Sequence, residues 1–310
     1  MRLPAYAEAH EKGELVRRVR EFVNGLASCR LCPRRCGVNR LEDERGFCRT
    51  GRWAVVSSYG PHFGEEESLV GSRGSGTLFF THCNLQCCFC QNYDISHGGA
   101  GEEVRPEGLA RIMMHLQNQG CHNINLVSPS HVAAQILESL PLAVEAGLRV
   151  PLVYNTGGYD LPETVRLLDG VIDIYMPDYK FTRSDVAGQS AEAPDYPEIV
   201  RDTLKEMHRQ VGDLRMDASG LACRGLLIRH LVLPGGLAGT KDAMNWIAEH
   251  VSRETYVNIM DQYRPCGTAS RNSGLSRRIT PDEYQEAIDF ARRSGLHRLD
   301  SRRSSRFLFR

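Results

Sequence analysis

The chain lacks a net charge: among its 310 residues, Lys plus Arg and Asp plus Glu each total 38. A balanced chain sets up no global field toward nucleic acid or an anionic membrane, so any polyanion binding would have to be local. Long apolar runs are missing too, and none approaches the roughly 20 residues that a bilayer span needs. The opening MRLPAYAEAHEKGELVRRV carries charges where a secretory leader needs its apolar stretch, so a cytoplasmic protein is expected. There is no internal repeat and no low-complexity segment, which excludes a solenoid and a disordered linker.

Cysteine, by contrast, is abundant. Eleven cysteines in a reducing compartment point to metal or redox work more than to disulfides, and seven of the eleven fall into two tight groups. Residues 11–25 form an expected amphipathic helix with Leu15, Val16, Val19, Phe22 and Val23 on one face, leading straight into the first group. Residues 29–60 then read as a loop-rich module with little apolar periodicity, of the kind a metal can hold in shape.

From residue 76 the pattern changes to short β-rich runs alternating with helical stretches, the signature of βα units on a parallel sheet. Strands are expected at 77–81, 123–127, 150–155, 171–175, 226–233 and 256–260. Helices are expected at 107–119, 131–146, 161–168, 197–211, 239–251 and 281–294, the last opened by Thr280, Pro281 and Asp282. Six units predict a partial (β/α)6 TIM-like barrel, since a full eight would need more chain. The domains are thus a helix and cysteine-rich module at 1–60, the barrel at 61–297 and a basic tail at 298–310. The stretch 180–197 shows no periodicity and reads as a surface loop on the catalytic rim.

The second group lies directly after the first barrel strand: Cys83, Cys87 and Cys90 stand at C-x3-C-x2-C spacing, with Cys88 set aside because neighbouring cysteines seldom reach two corners of one cube. Three thiolates on a short loop hold three irons of a 4Fe-4S cube and leave the fourth without a protein ligand. Such an iron can take the amino and carboxylate groups of a methionine-like cosubstrate and pass one electron to its sulfonium. A three-cysteine zinc site or a chance cluster of buried cysteines is the plainer alternative. With Phe89 before the last cysteine, the segment resembles the radical S-adenosylmethionine superfamily, over most of residues 76–292. Within it, the chain is most similar to a branch called pyruvate formate-lyase-activating-enzyme-like that carries extra N-terminal cysteines.

The resemblance implies where S-adenosylmethionine would bind. Ser128-Pro129-Ser130-His131 stands where relatives have a Gly-Gly-Glu turn for the amino group, a departure that leaves Ser128 as the nearest counterpart and His131 as a cap or packing residue. Asn155-Thr156-Gly157-Gly158 is similar to the Thr-Asn-Gly-type turn of glycyl-radical activases. Asp178-x-Lys180 resembles the Asp-x-Lys element that contacts ribose and carboxylate, residue types suited to hydroxyls and an anion, with an exposed ion pair as the alternative. Arg229 interrupts an apolar strand, which is costly without a facing anion, and the cosubstrate carboxylate is preferred over a structural salt bridge. Gln262 or Tyr263 falls near the position of an adenosyl-proximal histidine in relatives, and Cys266 on the same rim is a candidate hydrogen-atom relay or extra ligand, with an inert, partly buried cysteine as the plainer alternative.

Cys29, Cys32, Cys36 and Cys48 form the first group, four thiolates that imply one closed metal site, either structural zinc or a second iron-sulfur cluster. By resemblance the enzyme, reduced by a flavodoxin or ferredoxin, would generate a 5′-deoxyadenosyl radical and activate a glycyl-radical enzyme. Modification of another protein, a peptide or a small metabolite is the second reading. A non-catalytic iron-sulfur or zinc scaffold is the third.

Overall fold

The computed structural model describes residues 3–300. The chain opens with α1 (Ala5–Glu11) and α2 (Glu14–Gly25), broken at Gly13, whose φ of +71° is a left-handed conformation glycine adopts without strain. At seven residues, with three alanines and one tyrosine as its buried set, α1 is too short to show a helical period, and the sequence predicts only α2. It packs Leu15 and Phe22 inward. The strand β1 (Ala54–His62) follows the cysteine module, then α3 (Glu67–Val70), β2 (Ser75–Phe80), α4 (Tyr93–Ser96) and β3 (Glu102–Val104). The remaining elements alternate: α5 (Pro106–Asn118), β4 (Ile124–Val127), α6 (Ala133–Glu145), β5 (Leu152–Thr156), α7 (Pro162–Leu167), β6 (Ile174–Pro177), α8 (Ser184–Ala191), α9 (Tyr196–Val211), β7 (Arg215–Met216), β8 (Ala222–Leu231), α10 (Thr240–His250), β9 (Tyr256–Met260) and α11 (Pro281–Arg293).

Strands β2, β4, β5, β6, β8 and β9 are parallel neighbours in that order, giving the six-stranded (β/α) arrangement expected. β1 pairs antiparallel with β2 and carries β3 on its outer edge, while β7 pairs antiparallel with β8. Alternation along each strand separates two cores. Leu152 and Tyr154, Tyr175, and Leu226 and Ile228 face outward into the main core under the helices. Val153, Ile174, Met176 and Leu227 face inward and form a second core with Leu69 of α3. Inward positions further along the same strands are polar: Asn155, Asp178, Arg229 and Asn258. The inside of the sheet is therefore apolar at one end and polar at the other, where the strands end.

Several expectations are corrected. Residues 54–62 belong to the sheet, not to a loop-rich module ending at 60. The stretch 180–197 is not an unstructured surface loop: it contains α8, with Val186, Ala187, Ser190 and Ala191 buried. Small residues pack without making the apolar stripe that periodicity detects. The strand placed at 171–175 begins at Ile174, because Val171 and Ile172 are buried in the preceding turn and the Asp173 carboxylate accepts from the Ala5 and Leu152 N–H groups. Of the basic tail, 298–300 dock on β9 through a Leu299–Val257 bridge and a Tyr256 hydroxyl donating to Asp300. Residues 301–310 lie outside the described residues. Among the described residues no helix is long and apolar enough to cross a membrane.

Candidate functional site

The segment after β2 turns sharply at His82, whose φ is +69°, and then carries the three cysteines. Its backbone is held from several sides. Thr81 N–H donates to Val55 O, Cys88 N–H to Ser190 O at 2.9 Å, Gln86 N–H to Ala191 O, and Thr268 N–H to Cys88 O. The Asn84 amide donates to Tyr159 O at 2.6 Å. Cys83, Cys87 and Cys90 line one cavity of about 410 Å³, together with Phe89. Cys88 is not part of that lining. The Phe89 ring is fixed edge-on by Phe181 and Tyr263, each with centroids 5.9 Å away.

The sulfurs already receive donors. Leu85 N–H points at Cys83 Sγ at 3.4 Å and the Ser96 hydroxyl at Cys90 Sγ at 3.2 Å. Burial pushes the Cys83 thiol up to about 11, against the Leu85 N–H, and raises Cys87 further, while nearby Lys180 lowers both. Thiols held in this way ionise when a metal takes the proton's place. Among the described residues no three histidine, cysteine or carboxylate side chains stand close enough together for a single metal ion. A cube takes one thiolate per corner, and these three thiols, all on one loop and all lining one cavity, are the donor set for three of its corners.

Opposite the thiols, the polar strand ends form a buried ion set. Asp178 receives Lys180 Nζ on one oxygen and Arg229 Nε at 2.8 Å on the other. Arg229 also donates to Asn155 Oδ1 at 2.7 Å and lies 3.9 Å from Glu65. Burial alone would raise Asp178, but the two cations hold its carboxyl below the usual range. The anion that Arg229 demanded of its apolar strand is thus in the chain itself, and a ligand carboxylate is not needed to compensate it. Gly158 makes the turn beside this set: with φ at +79°, a Cβ there would stand 2.2 Å from Asp178 O. Ser128, also left-handed at φ +59°, lines the cavity, its N–H bonded to Asn155 O.

Other candidates separate on inspection. Gln262 lines the cavity, whereas Tyr263 is buried behind Phe89 with its hydroxyl donating to Leu275 O at 2.6 Å. Tyr263 therefore backs Phe89 and does not face the cavity. Among the described residues, Cys266 is not in the lining. His131 is buried, its Nε2 2.9 Å from Thr81 O, and it faces the N-terminal cysteines. Sequence reasoning missed Glu65, Glu66, His62 and Asn258, all in the cavity wall. Asn258, in the apolar strand Tyr256–Met260, was the available signal: like Arg229, a polar residue pointing inward needs a partner. It donates to Glu66 at 2.8 Å, and burial, followed by Glu65 among the factors that raise it, pushes the Glu66 carboxyl up.

Cys29, Cys32, Cys36 and Cys48 line a second, smaller cavity together with Arg40 and His131. Their loop is closed by Cys29 N–H on Val38 O and Gly37 N–H on Cys29 O. Arg34, between two of the cysteines, reaches the central segment: its Nε donates to Asn84 O at 2.9 Å and its Nη2 to Ala191 O at 3.3 Å, with the guanidinium 3.7 Å over the Phe47 ring.

No protein-family model matches the chain. Two solved structures overlay part of it. One is a radical S-adenosylmethionine methyltransferase, TsrM, from Kitasatospora setae, with cobalamin and a [4Fe-4S] cluster bound. It aligns at a TM-score of 0.43 and 13% identity over 67% of this chain and 41% of its own. The other is HydG, a maturase of the [FeFe]-hydrogenase, at 0.46 and 10% identity over 70% of this chain and 48% of its own. This chain spans less than half of either. The uncharacterized protein MJ0674 of Methanocaldococcus jannaschii is 32% identical over 283 residues, which are 88% of this chain and 77% of that protein. Identity at that level over that length makes this chain a member of the same family as MJ0674.

Proposed function

We propose that the chain is a radical S-adenosylmethionine enzyme built around a 4Fe-4S cluster on Cys83, Cys87 and Cys90. The observation that carries the reading is that these three thiols line one cavity with Asn155, Asp178, Lys180 and Arg229, at the end of the sheet where parallel strands place working residues. Held by Cys83, Cys87 and Cys90, the cluster would supply the electron for reductive cleavage of the S-adenosylmethionine sulfonium, the chemistry that would yield methionine and, after hydrogen abstraction from the substrate, 5′-deoxyadenosine.

The chain's own residues bind, orient and exclude water. Leu85 N–H and the Ser96 hydroxyl direct donors at two of the sulfurs, and Lys180 brings a positive charge beside the thiolates. Asp178 suits ribose hydroxyls and Lys180 an anionic group, each already oriented by the other. Phe89, clamped by two rings, closes the cavity beside the last cysteine. The reductant would be a flavodoxin or ferredoxin. The hydrogen donor would be the glycine of a partner glycyl-radical enzyme, as the resemblance implies, or else another protein, a peptide or a small metabolite.

Anaerobically reconstituted, reduced protein should form 5′-deoxyadenosine from S-adenosylmethionine, and Cys87→Ala should lower the rate at least about a hundredfold, the scale on which loss of an essential group acts. Cluster-loaded protein that forms none, or a variant as fast as the wild type, sinks the proposal. An electron paramagnetic resonance glycyl signal on a candidate partner separates activation from the other substrates.

A further inference from the structure

Arg40 is 1% exposed, on a short turn in the N-terminal module. Its Nε donates to Gly51 O at 3.0 Å and its Nη1 to His131 O at 2.8 Å. The same Nη1 stands 3.7 Å from Cys29 Sγ, and Nη2 is buried with no partner. Among the described residues it forms no ion pair with a carboxylate; Asp43, whose titration it influences, is exposed and pairs with Arg45. A guanidinium is always charged, and taking one out of water without a counter-charge is strongly unfavourable. Beyond those two carbonyls it meets sulfur: Cys29 Sγ is the near contact, and Cys29, Cys32, Cys36 and Cys48 line the cavity that Arg40 shares with Arg34 and Arg35.

Those sulfurs are also approached as ligand sulfurs are. Phe47 N–H points at Cys36 Sγ at 3.4 Å, and a Cβ on Gly46 would lie 2.7 Å from the same atom, so only glycine lets the backbone come this near. These four thiols share one cavity but, like every other such group among the described residues, do not converge on a single ion position, and the space between them is about 10 Å³, so either metal centre requires the cysteine side chains to shift as it binds. Zinc or a 4Fe-4S cluster with four thiolates each carries a net charge of about −2 from formal charges.

We propose that Cys29, Cys32, Cys36 and Cys48 bind a metal as an anionic tetrathiolate centre, and that Arg40 is its positioning residue, balancing part of that charge through the Cys29 side and tying the centre to the barrel through His131. The His131 ring lies 2.9 Å from the carbonyl of Thr81, two residues before Cys83, so one chain of contacts joins this centre to the central cysteine segment. The inference does not depend on the radical chemistry proposed above and survives if that reading fails.

The test uses the full chain with Cys83, Cys87 and Cys90 replaced by Ala, expressed with both iron and zinc available. Metal retained at about one zinc or about four irons per chain supports the centre and names its metal; a folded chain that retains neither overturns it. The charge is tested in the otherwise intact chain with Arg40→Met and Arg40→Lys, by chelator competition and by melting temperature. The methionine variant should lose metal at about tenfold lower chelator, the range found for groups that support metal ligands, while the lysine variant stays near wild type. Arg40→Met should lower the melting temperature of metal-loaded protein, yet leave unchanged or raise that of chelator-treated protein, because a lone buried charge is then relieved. Equal loss of stability with and without metal marks Arg40 as packing alone and overturns its assigned role.

Discussion

The two cysteine groups are held by opposite means. The central segment is braced by regular structure: β2 enters it, α8 accepts its N–H groups through Ser190 and Ala191, and Thr268 bonds to it from the far side. The N-terminal group has almost none. Between Cys29 and Cys48 the only helical element is the short turn Arg40–Glu42, and the segment is tied to the barrel by arginines: Arg34 and Arg40 reach backbone carbonyls, while Arg35 and Arg45 make exposed ion pairs with Glu163 and Glu103. One site is a loop on a scaffold, and the other, on the proposal above, is a loop whose scaffold would be its metal.

The sharpest way to break that comparison is to remove metal. Metal binding at structural tetrathiolate sites is worth on the order of 10 kcal/mol. Chelation should therefore speed amide exchange in residues 29–50 by about a hundredfold or more, while amides of β2 and α8 keep their protection. Equal loosening of both would erase the distinction. On the barrel side the matching test is Gly158→Ala. The added Cβ meets a backbone carbonyl at a left-handed residue, and a loss of about 3 kcal/mol should appear in denaturant unfolding with metal present. An effect no larger than in a surface loop would mean that the turn beside Asp178 yields easily.

Arg34→Ala sits between the two regions. Losing its bonds to the carbonyls of Asn84 and Ala191 should cost about 2 kcal/mol and should loosen the module before the barrel, read by protease cleavage within 29–50. The smallest effect is a control remote from both groups. Glu283 closes the capping box of α11 and pairs with Arg277, which, with the Gly235 and Thr280 N–H groups, holds its carboxyl down at about 2. A depressed carboxyl contributes stability above its unfolded pKa, near 4.3, and loses it as pH falls through about 2. Allowing for solvent screening, Glu283→Gln should cost about 1 kcal/mol at pH 7 and nothing near pH 2, with the metal content of the module unchanged.

Much of the barrel was legible because its strands are dense in β-branched and aromatic residues between glycine turns. The central cysteines were legible because chemistry fixes their spacing. What was hidden has physical reasons. Helix α8 buries alanines and a serine, which make no stripe. Arg40 reads as one more surface cation in a loop, since nothing local shows that Gly51 O and His131 O enclose it from 11 and 91 residues away. Glu65 and Glu66 sit in a run of three glutamates that looks solvated, and only their approach to Arg229 and Asn258 across the sheet's open side brings them into the cavity wall. Arg229 was legible as a residue in need of an anion, but not that Asp178 would supply it.

The carbonyls of Ser190 and Ala191 have a further consequence. Because they, and not a bound group, dictate the path of the chain on either side of Cys87, a cluster lost from the proposed site would leave its mould standing, and reloading it would call for iron and sulfide but no refolding of the polypeptide.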